Sequence, residues 1–345
     1  RSLGGPVAGL ASCLHALTDC VEVDGVARAP ATSTVEPGQV VEPGALAEEE
    51  RDAALCARPP AASRRDAVCH RWRCDSRGAA RTVEWAGDVA TCSAGALDPD
   101  ARERALRLVN MHRFLADLPP LEDEPAWSPA AQQCALLAHA NGRLSHTPGR
   151  DWRCWSKLGA SSSGVSLIAN RSAPLAIGAF IEDPGNEETM VHRRWLLSEI
   201  LSRIGFGSTD RYSCVVVDGR PLGAATEERR DEAREEAPAR SWVAWPPAGP
   251  VPLDVFRRER LDEIGWTIQS ASADLVASTV GVRAEDGTAL PVRASRLTPM
   301  KGSRTAVRFV PEGWRAEAGR SYEVSVGTGD SARAFAFSVE PVLCP

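Results

Sequence analysis

PLAIGAFIEDPGNEETMVHRRWLLSEILSRIGFG, residues 174–207, decides how this chain is read. The stretch predicts a short helix, a break at Pro184-Gly185, and a second helix carrying His192, Arg193, Arg194 and Trp195, since Pro and Gly interrupt helices. Ile204-Gly205-Phe206-Gly207 reads as a turn leading into the apolar run Cys214-Val215-Val216-Val217. Upstream, Asp100 is the expected N-cap of a long helix, with Glu103 completing a capping box. Leu108, Met111, His112 and Leu115 form one helical stripe, which Pro119-Pro120 ends. A further helix is expected from Ser128 as cap and Pro129 at its first position, through Cys134 and His139, to a stop at Asn141-Gly142.

At 345 residues the chain has room for two or three domains. A net charge of −6 gives no reason to expect a nucleic acid partner, which wants a basic face. No apolar run reaches the roughly 18 residues of a membrane span. The cations are almost all Arg, with Lys only at 157 and 301, scattered among Asp and Glu as on a solvated mixed surface.

Ten cysteines, at 13, 20, 56, 69, 74, 92, 134, 154, 214 and 344, point to disulfides formed in an oxidising compartment. Half a zinc site at Cys69-His-Arg-Trp-Arg-Cys74 is the weaker alternative. Leu10-Ala11-Ser12-Cys13 has the form of a bacterial lipobox, but Gly4, Gly5 and Pro6 make a poor apolar signal core. The expected location is therefore secreted or cell-envelope, extracellular or periplasmic, with a lipid anchor at Cys13 as the minority reading.

Residues 25–50, rich in Ala, Pro, Glu and Gly, read as loop or disorder. From Cys56 to Cys92, Trp72 and Trp85 stand in a polar setting, so order there depends on cross-links. The mixed-charge run 227–236 reads as a solvated linker. After Trp242-Val-Ala-Trp245-Pro-Pro come short alternating runs at 264–268, 276–282, 306–310, 322–326 and 334–339. Asp286-Gly287 and residues 327–330 supply turns, which together suggest an immunoglobulin-like sandwich.

Asn110-Met-His-Arg113, Leu118-Pro-Pro-Leu121, Leu144-Ser-His146, Val191-His-Arg-Arg-Trp-Leu-Leu197 and Ile204-Gly-Phe-Gly207 occur in the order and spacing of one family. Over about residues 100–218 the chain resembles the CAP superfamily (SCP-like: cysteine-rich secretory protein, antigen 5, pathogenesis-related 1), bacterial type with a C-terminal β-sandwich. The resemblance implies an α+β fold with a three-layer α-β-α sandwich. The expected organisation is a Cys-rich N-terminal region at 1–97, a CAP domain at 98–220, a charged and Trp-Pro-Pro linker at 221–247, and an immunoglobulin-like β-sandwich at 248–345. Within the CAP segment, Cys134 and Cys154 are expected to pair, because they are close in sequence and the Trp152 loop has little else to order it. Cys214 would then pair with Cys92 or Cys344.

Better-known CAP proteins line a cleft with two His and two acids that in some members hold a divalent metal. Carried over by position, the helix acid falls on Asp183 and one His on His192. The other His is replaced by Val109, and the Glu of a Gly-Glu-Asn element is missing at Val165. His112 lies one turn from Val109 on the same helix face. It could complete a His112, Asp183, His192 metal set for an ion such as zinc, with His146 as a further donor. Arg193 is a candidate for gripping an anionic ligand. The cleft residues so assigned are His112, His146, Asp183, His192 and Arg193. No Gly-x-Ser-x-Gly or His-Glu-x-x-His motif is present, and Ser161, Ser162, Ser163 and Ser166 read as a small-residue loop. The favoured reading is a non-catalytic module, without cofactor, binding a lipid, glycan or protein. The alternatives are a metal-dependent hydrolase of a peptide or wall polymer, and a structural or adhesive surface protein.

Overall fold

Ile204 and Phe206 are fully buried on one side of a strand, and Gly205 and Gly207 lie on the other. The computed structural model describes residues 53–60, 62–222, 242–258, 260–271, 274–275, 277–300, 302–327 and 335–344. The readings of residues 25–50, Cys13 and the run 227–236 lie outside these. The first part comprises α1 (Arg64–Asp75), α2 (Pro99–Leu115), β1 (Glu122–Asp123), α3 (Ser128–Asn141), α4 (Lys157–Ser163), β2 (Ser166–Ala169), α5 (Ala173–Glu182), α6 (Val191–Leu196), β3 (Arg203–Ser208) and β4 (Ser213–Val216). The fold is α+β.

Strand order is β1-β3-β4-β2, parallel between β1 and β3 and antiparallel elsewhere. Strand side chains alternate between faces. Cys214 and Val216 accordingly pack with Cys134, Ala135, Trp127 and Ala131 on the α3 side. Val215 and Val217 join the core shared with α2 and α5. Ile204-Gly-Phe-Gly207 is thus strand β3 and not the expected turn. A Cβ on Gly207 would overlap the Ala131 backbone and one on Gly205 the Trp127 side chain, so Gly207 admits the α3 backbone to the sheet and Gly205 admits the tryptophan before it.

The caps differ from the sequence expectation by a residue or two. Asp98 caps α2, accepting from the Asp100 and Ala101 amides, with Pro99 in the first turn. A short 3-10 turn at Pro125–Trp127 leads into α3, so Ser128 is already helical. Gly142, in the left-handed region at φ 62°, ends α3 as expected. Asp117 occupies the same region at φ 55°, which Asp tolerates better than most residues, and Arg64 holds its carboxylate at 2.8 Å. On α2 the stripe Leu108, Met111, His112 and Leu115 is buried, together with Val109. The cross-linked N-terminal segment contributes Val68, Trp72, Val83 and Leu97 to the same core. Leu115→Ala should cost about 2–5 kcal/mol. A denaturant midpoint shift worth less than about 1 kcal/mol would show that this stripe carries little of the core's stability.

The eight described cysteines pair as Cys56–Cys74, Cys69–Cys344, Cys92–Cys154 and Cys134–Cys214. This overturns the expected Cys134–Cys154 bridge. Helical phase turns Cys134 toward the sheet, where β4 presents Cys214 on the facing side. The Trp152 loop has its own tether besides Cys92. The Asn141 side chain accepts from the Arg153 amide and donates to the Arg153 carbonyl, both at 3.0 Å.

The C-terminal part comprises β5 (Val243–Trp245), β6 (Gly249–Pro252), α7 (Leu253–Arg258), α8 (Leu261–Ile264), β7 (Trp266–Ser270), β8 (Thr279–Ala284), β9 (Ala289–Leu290), β10 (Val292–Arg296), β11 (Thr305–Pro311), β12 (Tyr322–Gly327) and β13 (Phe335–Val342). Two sheets form, β10-β11-β7-β5 and β6-β13-β12-β8-β9. Trp266, Phe309, Val282, Val324 and Val339 from both sheets belong to one core. Val243–Trp245, inside the segment read as linker, pairs with β7.

Residues 193–199 meet this part along a polar seam. The Gln269 amide donates to the Arg194 and Leu197 carbonyls, Ser198 to that of Gly302, and Glu199 accepts from the Ala271 amide at 2.8 Å. Burial raises the Glu199 carboxyl above its ordinary value of 4.5, against the lowering effect of the Ala271 hydrogen bond. A raised folded-state pKa gives stability that is complete below the unfolded value and is lost as pH rises through the folded one. Glu199→Gln keeps the acceptor and removes the charge. It should therefore match the parent in urea midpoint at about pH 4 and exceed it at neutral pH. Equal differences at both pH values would rule out this linkage.

Candidate functional site

The site is built where α5 ends. Asp183 closes that helix in a left-handed conformation at φ 61°, its amide donating to Ala179, and Pro184-Gly185 turns the chain. The Asp183 side chain is fully buried. Its Oδ2 accepts from the backbone amides of His192 at 2.9 Å and Arg193 at 3.3 Å. These are first-turn donors of α6, which have no partner within their own helix. Oδ1 accepts from Asn186 Nδ2 at 2.9 Å and pairs with His192 Nδ1 at 2.8 Å. A carboxylate offers about four lone-pair positions. Here all are taken by donors of the chain itself.

This arrangement fixes the imidazole. Because the carboxylate is an acceptor, Nδ1 carries the proton it donates, and the Phe180 ring lies 4.8 Å from the imidazole centroid. Nε2 makes no hydrogen bond among the described residues, and the side chain is 16% exposed. The result is one oriented, solvent-reachable imidazole nitrogen beside a phenyl ring.

The other sequence-assigned residues stand elsewhere. His112 is buried in the core, donating from Nδ1 to the Leu108 carbonyl at 2.9 Å, with its ring against Trp72 and Trp245. Val109, one turn before it, is fully buried as well. The His146 Nδ1 contacts the Ser163 carbonyl at 2.8 Å. Arg193 is fully buried, its guanidinium donating to the carbonyls of Ile181, Glu182 and Gly265. Among the described residues, no three His, Cys, Asp or Glu side chains are grouped to hold a metal ion.

Two elements of the quoted motifs have structural work. Asn110 exchanges hydrogen bonds with both the amide and the carbonyl of Leu121, pinning the Pro-Pro turn. Arg113 donates to the carbonyls of Pro119, Leu196, Ser198 and Leu201. Residues 106–217 match the model of the cysteine-rich secretory protein family, CAP. The chain carries a CAP domain. No curated protein and no solved structure matches it. Within this CAP domain the sequence reading missed Asn186, which steadies the Asp183–His192 pair. Its only signal was an amide side chain directly after Pro-Gly.

Asp183→Ala removes the acceptor of two backbone amides, each worth about 1–3 kcal/mol when left unsatisfied in the interior. A loss of at least about 2 kcal/mol in urea denaturation is expected. Asp183→Asn should recover only part of it, since its amide turns a donor toward donors. Parent-like stability of the Ala variant would sink the capping role.

Proposed function

We propose that this is an exported bacterial binding protein whose CAP domain receives a lipid, glycan or protein ligand beside His192 without catalysing a reaction. The observation that carries the reading is the saturated carboxylate of Asp183. With its lone pairs given to Asn186, His192 and Arg193, it is spent on holding the imidazole. One nitrogen and a neighbouring ring then suit recognition better than hydrolysis. Four disulfides among the described residues favour an oxidising, extracellular or envelope setting. Helices on both faces of the β1-β3-β4-β2 sheet support the three-layer reading for 98–220. The two C-terminal sheets support an immunoglobulin-like module from 248.

The competing reading is a hydrolase. The Nδ1 hydrogen bond to Asp183 favours it, because this leaves the Nε2 lone pair free to act as a base. Zinc calorimetry and elemental analysis separate the two. A single protein nitrogen should bind zinc weakly, since strong sites need three or four placed donors. Metal content should stay at background in both parent and His192→Ala, while that substitution weakens binding of whichever lipid, glycan or peptide a screen returns. Stoichiometric zinc lost on His192→Ala, together with peptide or wall-polymer cleavage, would replace binding with hydrolysis.

A further inference from the structure

We infer that the loop running from Arg143 to Leu158 docks the protein onto an anionic lipid surface. This surface is separate from His192 and does not depend on the reading given for it. Over these residues stand Arg143, Arg150, Arg153 and Lys157 against the single acid Asp151, a net +3 by formal charge, while the whole chain carries −6. All four cations are exposed. Arg153 also acts on the Asp88 carboxyl, helping hold it below its usual range after the larger effects of the Ala90 and Thr91 hydrogen bonds. Arg143, Arg150 and Lys157 form no ion pair among the described residues.

Large apolar side chains stand out beside these charges. Leu144 is 39% and Leu158 44% exposed, and Trp155 is half-buried. The segment is held in shape. The Arg143 guanidinium lies 4.4 Å from the Trp152 ring, and that of Arg150 lies 5.2 Å from Trp155. The Trp155 amide donates to the Trp152 carbonyl at 3.1 Å. Cys154 is bonded to Cys92, and Asn141 brackets Arg153. The His146 contact with Ser163 brings the start of the loop against α4, whose first turn carries Leu158. Little order remains to be imposed on binding.

The mixture selects the partner. A soluble polyanion would satisfy the cations but leave Leu144 and Leu158 in water. An anionic bilayer takes leucines into the acyl boundary, a tryptophan at headgroup level and guanidinium groups against phosphate. Each cation near such a surface is worth about a fivefold gain in partition.

Vesicle co-sedimentation of the full chain tests this. Phosphatidylcholine vesicles are compared with vesicles in which about a quarter of the lipid is phosphatidylglycerol, at low and high salt. Binding should require the anionic lipid and weaken with salt. Arg143→Gln with Arg150→Gln should lower it about 25-fold, and the Arg→Lys pair should retain most of it. Leu144→Ser with Leu158→Ser should weaken binding without abolishing its salt dependence. All four side chains are exposed, and the Cys92–Cys154 bridge and the Asn141–Arg153 hydrogen bonds still hold the loop in every variant. Absence of vesicle binding, equal binding to neutral vesicles, or parent-like binding by both variants would overturn the inference. So would capture on heparin without vesicle binding, which would point to a polyanionic glycan instead.

Discussion

Burying a guanidinium group is tolerable only when its N–H groups find acceptors, and three such groups meet around residues 190–201. Arg113, Arg193 and Arg194 are each at most 1% exposed. Their partners are mostly neutral backbone carbonyls. Arg113 gathers Pro119, Leu196, Ser198 and Leu201. Arg193 gathers Ile181, Glu182 and Gly265, and Arg194 gathers Thr189, Thr298 and Ser303. Burial pushes Arg113 down to about 9 and Arg194, with Asp183 opposing, to about 10. Both remain charged at neutral pH. The α6 segment is therefore fixed simultaneously to α2, to α5 and to the C-terminal sheets.

The same fixation orients His192. Its neighbours in sequence are locked, its amide is bound to Asp183, and its Nδ1 is bound to the same carboxylate. An imidazole held in this way loses little freedom on meeting a ligand. Disulfides reinforce the frame at its ends. Cys69–Cys344 links α1 to the second residue after β13, and Cys134–Cys214 fastens α3 to the sheet.

Much of both parts was legible in the residues. The apolar stripe of α2, the Gly142 stop and the alternation of β12, with Tyr322, Val324 and Val326 inward, follow from local periodicity and backbone freedom. The nearness of Asp183 to His192 was legible only through the CAP resemblance, because a Pro-Gly turn separates them. β10 escaped the reading: four of its five residues are exposed, so it shows no period-two burial.

By itself the sequence determined, through its CAP resemblance, an α+β chain, and through its own periodicity the apolar stripe that closes at Leu115 and the helix stop at Asn141-Gly142. Tertiary structure decided which cysteines meet, since pairing depends on which face of α3 opposes β4. It also decided the sense of Gly205 and Gly207, which admit the Trp127 side chain and the α3 backbone where local propensity suggests a turn. His112 shows the same limit. Its helical phase is readable, but whether that face meets a groove or Trp72 and Trp245 is set by segments that are distant in sequence. Local chemistry fixes conformation within a few residues, whereas the partner of a face is chosen only when the whole core closes.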